Sequence, residues 1–500
     1  KFPGKQVLLP IVMYIDGAVT GQFSSLPVTA LKISLGIHNK KHREKEFAWR
    51  TLGYVAQVST PTSQGNQIFY ESRHIDAEFV HLNQGEGEEA NMDEFSKAQD
   101  FHTMLDCLLI SYVDVQNNGF VWDLRYGGKT YKDIEFVPFV MFVKCDTEEA
   151  DLLCRSYTSR QRGVAQLCRY CTCPTEESDL VFAMYPQKTV QMIQDLVEAR
   201  NFDGLQQISQ QNIQNAWYKI RFHPYNKQGI HGACPSEMLH ALLLGVFKYT
   251  RECFFEQIGP TSKAATAINS LSQVYGTLFA RQAERDKPNC AFKDGIIKNG
   301  RVMAKEFRGI LLIIAVVLRS QKGRDILSKK ANFSTHAAIQ DWVLLVEMLL
   351  EWEAFLNEPD MSVEHIRRLQ KKNRYMMYLM KKVANRTKGM GMKLMKFHAI
   401  LHMWLDIYLF GVPSEVDTGS NESHHKVAKI AARLTQKNET TFDFQTCTRL
   451  DEFFLIDLAL AELDFDLKLW DYFTKPADLD EEEPQVVPPR TGGTTINIFQ

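Results

Sequence analysis

The stretch Val7–Gly17 (VLLPIVMYIDG) most constrains the fold of this chain, because it is an apolar run that ends in an acid, Asp16. A β-branched and aliphatic run that Gly17 stops early predicts a buried central strand rather than a helix. A carboxylate at the tip of such a strand needs a cation or a hydrogen-bonding partner. A lone strand followed by Asp-Gly more often marks a capping turn. The later segments of the chain favour a metal ligand over a capping turn for Asp16.

Two more strands are predicted at Leu26–Gly36 and Trp49–Val58, and their short connections indicate an antiparallel meander. Phe95–Val115 has apolar residues at helical spacing. Gly127 and Gly128 mark the turn of a hairpin that follows.

A second charge-poor strand is predicted at Phe136–Cys145, and it too ends in an acid, Asp146. A meander, a helix and then a buried strand ending in an acid are typical of a ribonuclease H-like mixed sheet flanked by helices, an α/β fold. The first and fourth strands of that sheet are neighbours, so Asp16 and Asp146 could share a divalent cation.

The composition of the chain excludes several classes of protein. Its 500 residues carry 58 basic and 60 acidic side chains, so it is not a polyanion binder by overall charge. Ten cysteines in this length do not indicate a secreted disulfide scaffold. The longest apolar run, Ile310–Leu318, is too short to cross a bilayer. We expect a soluble intracellular protein without membrane association, and one whose N-terminal portion precedes Lys1.

The segment Leu167–Pro174 (LCRYCTCP) holds the Cys-x₂-Cys pair Cys168 and Cys171, which is half of a zinc site. Cys173 and the upstream Cys154 are further candidate ligands, and His223, His231 or Cys234 could also complete the site. A reduced, partly buried cysteine cluster is the alternative interpretation.

Two histidine patterns are weaker signals. His398, His402 and Asp406 recur every four residues on the predicted helix Leu394–Phe410, a spacing that suits a metal site but that more often reflects structural hydrogen bonding. Glu237 and His240 lie three residues apart on a predicted helix, and such a pair is usually a solvated face.

A large all-helical insertion is predicted between Thr261 and Asn385, with helices at Lys263–Arg285, Val302–Lys322, Thr335–Phe355 and Val363–Ala384. From His365 to His398 the chain has eleven Lys or Arg and no Asp or Glu. A solvated helix face is the plain interpretation. We favour phosphate contacts, and expect Arg367, Arg368, Lys371 and Lys372 to bind DNA.

A last helix is predicted over Glu422–Leu434, capped by Ser420–Asn421. Its residues Glu422, Lys426, Lys429 and Arg433 share one face. An acid in the first turn with bases behind it suits a metal ligand beside a phosphate backbone, and also an ordinary exposed helix that follows the macrodipole.

In order, several segments resemble transposases of the CACTA superfamily, closest to the Plavaka type. These segments span most of residues 10–435 and are YIDG with LPVTALKISLGI and WRTLGYV, FVPFVMFVKCD ahead of LCRYCTCP, PSEMLHALLLGVFK, and KFHAILHMWLDIYLFG followed by DTGSNESHHKVAK.

The resemblance implies a ribonuclease H-like DDE core with a helical insertion before the last acid. It makes Asp16, Asp146 and Glu422 the catalytic acids and Mg²⁺ or Mn²⁺ ligands, with Asp133 and Asp151 as alternatives near the second. Glu237 and His240 stand where the family has Asp or Cys, two residues and then His, so the Glu is a departure and leaves the role of that motif open.

The resemblance implies cut-and-paste transposition by metal-dependent DNA cleavage and strand transfer. The implied partners are transposon-end and target DNA, on which the protein would act as a homo-oligomer in the nucleus. The alternatives are a nuclease that cuts without joining, and a decayed or domesticated transposase that only binds DNA.

The corresponding division of the chain has five parts. These are a first core part (1–155), a cysteine-containing connector with the zinc site (156–235), the helical insertion (236–390), a last core part with the third acid (391–460) and a flexible acidic tail (461–500).

Overall fold

The structure, a computed structural model, describes residues 6–19, 27–38, 40–45, 48–55, 88–126, 129–156, 164–182, 184–279, 290–297, 302–436 and 441–465. The protein is a mixed α/β structure, as predicted, with one five-stranded sheet among the described residues. The strands are β1 (Gln6–Val19), β2 (Pro27–Leu35), β3 (Arg50–Val55), β4 (Phe120–Tyr126) and β5 (Lys129–Lys144). Most of the predicted acidic tail lies outside the described residues.

The strand order is β3-β2-β1-β5-β4, with β1 at the centre. β1 to β3 form the predicted antiparallel meander, and β4 and β5 form the predicted hairpin. β1 runs parallel to β5, with Tyr14 opposite Lys144. The last residues of these two strands therefore end at the same edge of the sheet.

β5 is one strand where the sequence suggested two, although it contains Pro138. β4 pairs with β5 only as far as Phe136, so Pro138 lies beyond that pairing and faces β1 at Leu9. A proline that lacks a donor is tolerated where one side of the strand has no ladder to complete.

The two faces of β1 pack on different parts of the chain. Met13 and Ile15 belong to a core with Leu105 and Leu109 of the long helix after β3. Val12 and Tyr14 belong to a smaller core on the opposite face, which includes Phe142, Phe410 and Val416. Because side chains alternate along a strand, Asp16 follows Tyr14 on this second face. The chain segment after the helical region thus returns to the sheet beside the tip of β1.

The first half of the chain carries short helices and one long one. These are α1 (Lys40–Arg43), α2 (Glu88–Asn118), α3 (Thr147–Cys154), α4 (Val190–Glu198), α5 (Phe202–Gln207) and α6 (Ile230–Ala233), with 3₁₀ turns at Thr175–Glu177 and Ala216–Lys219.

The second half begins with a π-helix, Met238–Phe247. It continues with α7 (Lys248–Ile258), α8 (Lys263–Phe279), α9 (Ala304–Arg319), α10 (Gln321–Leu327), α11 (His336–Leu356), α12 (Val363–Val383), α13 (Met395–His398), α14 (Met403–Phe410), α15 (Pro413–Val416), α16 (Gly419–Arg433) and α17 (Phe442–Phe465), with 3₁₀ turns at Ala331–Phe333 and Ala399–Leu401. None of the described helices is both long and apolar enough to cross a membrane.

Two predicted helices differ in detail from the structure. The predicted Leu394–Phe410 helix is broken into α13, a 3₁₀ turn and α14. The predicted Ser420–Asn421 cap is wrong, because α16 begins at Gly419 and these residues lie in its first turn. Glu422 remains in that first turn.

A buried hydrogen-bond chain connects the helical region to the segment that returns to the sheet. Trp352 Nε1 on α11 donates to Asn373 Oδ1 on α12 at 2.9 Å, and Asn373 Nδ2 donates to the Ile400 carbonyl at 2.8 Å. Asn373 is 1% exposed, so neither contact can be exchanged for water without opening the core.

We expect Asn373→Ala to lower the free energy of unfolding by about 2–4 kcal/mol, because it leaves a buried donor and a buried acceptor unpaired. The exposed Asn332, which bonds the Gln257 carbonyl at 3.3 Å, gives a matched control. Denaturant unfolding of both variants measures the difference. A loss for Asn373→Ala no larger than that for Asn332→Ala would contradict this role.

Candidate functional site

The two acids that were predicted at strand ends both lie just past the β1–β5 ladder. The prediction that Gly17 stops the first strand is wrong, because β1 continues through Asp16 and Gly17 to Val19 in its pairing with β2. Asp16 lies two residues beyond Tyr14, and Asp146 lies two residues beyond the residue paired with Tyr14 across the parallel β1–β5 ladder. Asp146 is also the N-cap of α3, where its Oδ1 accepts the Glu149 backbone N–H at 2.7 Å. The strand end and the helix start therefore fix its carboxylate beside that of Asp16.

Asp16 is held by a hydrogen-bond relay that sequence reasoning missed. The Tyr14 hydroxyl donates to Asp16 Oδ2 at 2.9 Å, and His425 Nε2 lies 2.8 Å from the same hydroxyl oxygen. A hydroxyl has one proton, so with that proton on the bond to Asp16, His425 must donate through Nε2–H. The relay orients one carboxylate oxygen, since Tyr14 is 1% exposed and cannot turn.

Glu422 lies in the first turn of α16 and meets the Glu237–His240 pair. Glu237 caps the π-helix and accepts from the backbone N–H groups of Leu239 and His240. His240 Nδ1 is 2.8 Å from Glu237 Oε1, and His240 Nε2 is 3.5 Å from Glu422 Oε1. The His240 imidazole thus bridges two carboxylates, and the plain interpretation of a solvated face is wrong for this pair.

Burial and neighbouring acids raise the pKa values of two acids of the site. Burial raises the pKa of Asp16 to about 6, and the charge of Asp146 adds to the rise while the Tyr14 hydrogen bond opposes it. Burial, with the charges of Asp16, Glu237 and Asp146, raises the pKa of Glu422 to about 7, although His240 opposes it. An excess of carboxylate charge in a half-buried site is the environment that attracts a cation.

Glu149 belongs to the same group of charges. Burial, followed by the charges of Asp16 and Asp146, raises the pKa of Glu149 to about 8. Sequence reasoning missed this acid, because a glutamate in the first turn of a helix is ordinary.

The histidines of the site have opposite charge states. Burial alone lowers the pKa of His240, but the hydrogen bond and charge of Glu237, with Glu422, outweigh it and raise the pKa to about 9. Burial and the nearby Lys32 and Lys429 lower the pKa of His425 to about 4. At neutral pH His240 is therefore a cation and His425 is neutral.

Lys396, the last lysine of the basic run, interacts electrostatically with acids of the site. Lys396 is half-buried, and its side chain packs against Gly245. Burial lowers the pKa of Lys396, and the charges of Asp146 and Glu237 oppose that shift. We name the group Asp16, Asp146, Glu149, Glu237, His240 and Glu422 the acid cluster.

The alternatives for the second acid are placed elsewhere. Asp151 is buried and faces Arg169 Nη1 at 3.4 Å, inside the core. Asp133 lies at the outer part of the β4–β5 hairpin, where its backbone N–H donates to Asp123. Only Asp146 of the three stands at the end of β5.

A second group of side chains has the composition of a metal site. Cys168, Cys171, His398 and His402 bring their four ligand atoms within 4.8 Å of one another. Cys168 Sγ and Cys171 Sγ each lie 3.4 Å from a histidine Nε2, of His402 and His398 respectively, and those two nitrogens are 3.3 Å apart. Within the described part of the chain this is the one group of three or more such residues at that spacing, and the acid cluster does not contain such a group.

The surroundings of the cysteine–histidine cluster orient its ligands. His398 Nδ1 lies 2.8 Å from the Ser178 carbonyl, so it donates there and leaves Nε2 to face the thiols. The Tyr170 ring stacks on His402 with the ring centroids 4.8 Å apart. The cluster is largely buried, and its ligands come from two chain segments, the connector with Cys168 and Cys171 and the segment with His398 and His402.

Two of the predicted zinc ligands are therefore corrected. Cys154 is buried in the sheet core, where its thiol donates to the Ile230 carbonyl at 3.6 Å. Cys173 stays near the cluster but turns its thiol to the Pro174 carbonyl. His398 and His402, for which structural hydrogen bonding was favoured, take the two places instead. Their rings are arranged edge to face, with the centroids 5.1 Å apart and the planes at 62°.

The basic run is less free of acids than the sequence suggested. On α12, Arg368 lies 3.3 Å from Glu364, Lys372 lies 3.4 Å from Glu351 of α11, and Arg367 is at the limit of pairing with Glu364. These acids lie before the run or on a neighbouring helix, so a count along the run missed them. Lys426, Lys429 and Arg433 are exposed on α16, in agreement with the predicted shared face.

Comparison with models of known protein families finds no match to this chain, and comparison with curated proteins finds no match either. Membership of the CACTA superfamily therefore stays a prediction.

The opposite charge states of His240 and His425 can be measured. We expect the His240 ring to keep both protons at pH 7 and to lose one as the pH rises through about 9, because two carboxylates hold the cation. His425 should stay neutral until the pH falls through about 4. Histidine ¹⁵N chemical shifts, assigned with His240→Gln and His425→Gln and recorded without divalent metal ions, report both; two ordinary titrations near neutral pH would contradict the geometry.

Proposed function

We propose that the protein is a DDE-type transposase with a ribonuclease H-like core, which cleaves DNA and joins the 3′ end to target DNA with Mg²⁺ or Mn²⁺. One observation carries the proposal. Asp16 and Asp146 lie just past the end of the parallel β1–β5 ladder, and their charges act on Glu422, in the first turn of a helix more than two hundred residues later.

The strand order supports the fold part of the proposal. A meander of three strands, with a later strand parallel to the first, gives the order that we expected from the ribonuclease H-like pattern. The helical region between the π-helix and α13 separates the second acid from the third, as expected for an insertion before Glu422. The edge strand β4 is an addition to that pattern.

The residues of the acid cluster fit a hard divalent cation. Each of the three candidate ligands, Asp16, Asp146 and Glu422, is a carboxylate, which is the donor that Mg²⁺ prefers. Burial, with a smaller contribution from neighbouring acids, raises the pKa values of Asp16 and Glu422. Asp16, Asp146 and Glu422 would hold the ions. When bound, the ions supply Lewis-acid activation of water or of a 3′-hydroxyl, and neutralise charge on the phosphate.

Several side chains of the protein have distinct roles in the proposed reaction. The Tyr14–His425 relay orients Asp16, and the cap on α3 orients Asp146. The His240 cation holds Glu422 and keeps positive charge where phosphate oxygens would approach. Lys396, Lys426, Lys429 and Arg433 would contact the DNA backbone, which makes binding depend on salt. Positioning and charge stabilisation carry phosphoryl transfer of this kind.

We further propose that the cysteine–histidine cluster binds one Zn²⁺ as a structural ion. Two thiolates and two imidazoles are a common closed zinc set. The site would hold the connector at Cys168 and Cys171 to the segment at His398 and His402, which leads on to α16. Nuclear location and assembly as a homo-oligomer on DNA are part of the same proposal, as consequences of a transposase function.

Cleavage is the direct test. We expect the protein to nick a supercoiled plasmid, or a duplex that carries the transposon ends, in the presence of Mg²⁺ or Mn²⁺ and not with Ca²⁺ alone. Asp16→Asn, Asp146→Asn and Glu422→Gln should each reduce the rate by about a thousandfold or more, since each removes a ligand that acts in the transition state. Asp133→Asn is the matched control and should keep the wild-type rate.

The products separate the alternatives. Nicks without joined products would support the nuclease alternative, and DNA binding without any cleavage would support the decayed or domesticated transposase. Equal cleavage by wild type and the three acid variants would overturn the assignment of the acid cluster.

Metal content tests the second site. We expect purified protein to contain about one equivalent of zinc, which Cys168→Ser or His402→Asn should remove because a structural site needs its full ligand set. Cys154→Ser and Cys173→Ser are controls and should keep the zinc. Elemental analysis decides: less than about a tenth of an equivalent in wild type would leave the cluster as core packing.

A further inference from the structure

Helix α12 presents a stripe of side chains to solvent that the proposed cleavage reaction does not use. Its members stand at alternating steps of four and three residues and all are exposed: Glu364, Arg368, Lys371, Tyr375, Tyr378 and Lys382. Such steps keep side chains on one face of a helix. The opposite face, with Leu369, Met376 and Met380, is buried in the helical core.

The centre of the stripe is a pair of aromatic rings. Tyr375 and Tyr378 are 47% and 50% exposed, although both lie in the middle of a helix whose other face is well packed. Their ring centroids are 6.4 Å apart and their planes differ by 17°. The two rings therefore offer solvent a nearly parallel pair of flat apolar faces.

Cations flank the rings along the helix. Among the described residues no acid pairs with Lys371, one turn before Tyr375, or with Arg374, one turn before Tyr378. Lys382, one turn after them, is held by Asp341 at 2.8 Å, but that pair is 47% and 34% exposed. Exposed pairs of this kind are weak and can exchange their acid for a phosphate.

We propose that Tyr375 and Tyr378 form a platform on which unpaired bases of single-stranded DNA stack, with Lys371, Arg374 and Lys382 contacting its phosphates. Aromatic faces among cations are the combination that binds single strands, because every base has a face to stack and a duplex hides it. DNA as the polymer rests on the proposed function; the stacking surface rests on the stripe alone.

A protein partner fits the stripe less well. Protein hot spots place an aromatic side chain in a fully desolvated pocket with an apolar surround. Here the neighbours along the helix face are charged: Arg368 and Lys382 pair with the acids Glu364 and Asp341, and Lys371 adds a further positive charge, so the surface stays hydrated. Charge complementarity favours a polyanion.

Direct binding tests the platform without relying on cleavage. The probes are fluorescein-labelled oligothymidylate and the matching adenine–thymine duplex, in buffer without Mg²⁺ or Mn²⁺ and without chelator. We expect the double variant Tyr375→Ala/Tyr378→Ala to raise the Kd for the single strand about fivefold or more, the loss of at least one stacked base. The Kd for the duplex should change less than about twofold, because phosphate contacts remain.

Three controls make the outcome specific. Tyr375→Phe/Tyr378→Phe keeps both rings and should bind the single strand like wild type. Tyr225→Ala, at a tyrosine 77% exposed and far from α12 in the chain, should have no effect. Thermal unfolding of the double alanine variant should match wild type, since both side chains are half-exposed. A 2-aminopurine in the single strand should lose fluorescence on binding wild type and keep it with the double alanine variant.

An unchanged single-strand Kd in the double alanine variant would overturn the platform. So would equal losses for single strand and duplex, phenylalanine variants as weak as the alanine ones, or a wild type that binds neither probe. Failure of nicking with normal single-strand binding would count against the proposed function and leave the platform standing.

Discussion

The parallel pairing of β1 with β5 is the interaction on which the candidate site depends. It places Asp16 and Asp146 at the same edge of the sheet, and the buried residues of both strands leave no freedom to separate them. The negative charges of Asp16 and Asp146 repel each other, and burial strengthens that repulsion. The Tyr14 hydroxyl donates to Asp16 and the Glu149 backbone N–H of α3 donates to Asp146, and the charge of the His240 cation also favours ionised Asp16.

The third acid depends on a longer chain of contacts. Glu422 reaches the sheet only because α14 and α15 return to the second face of β1, with Phe410 and Val416 in the core beside Tyr14. The cysteine–histidine cluster lies upstream on the same returning segment, and the Trp352–Asn373–Ile400 chain ties that segment to the helical region. The helical region therefore serves the site by holding the return path, whatever else its exposed face binds.

Much of this arrangement follows from local sequence patterns. The strands, the hairpin and most helices were predicted because their signals are local, such as apolar runs, helical periodicity and the Gly127–Gly128 turn. Asp16 and Asp146 stood out because each follows a charge-poor predicted strand, and Glu422 because it lies in the first turn of a predicted helix, whereas the grouping of the three acids came from the resemblance to transposases. The cap of α16 and the break before α14 were not predicted, since both depend on packing of the returning segment.

Two of the contacts that the sequence did not reveal join residues far apart along the chain. His425 bonds to Tyr14 across more than four hundred residues, and His398 and His402 meet Cys168 and Cys171 across more than two hundred. One signal could have identified His425, because Glu422 and His425 repeat the three-residue spacing of Glu237 and His240. The acids that pair with the basic run were missed likewise, since Glu351 lies on the neighbouring helix.

The central claim is that the acid cluster is a divalent-cation site, and anomalous diffraction from crystals grown with Mn²⁺ tests it most directly. Data collected on either side of the manganese edge separate Mn²⁺ from any zinc at Cys168 and Cys171. The account predicts a manganese peak within ligand distance of Asp16 and Asp146, with Glu422 drawn toward it, and no such peak in crystals of Asp16→Asn. Full occupancy of manganese elsewhere with none between these carboxylates would contradict it.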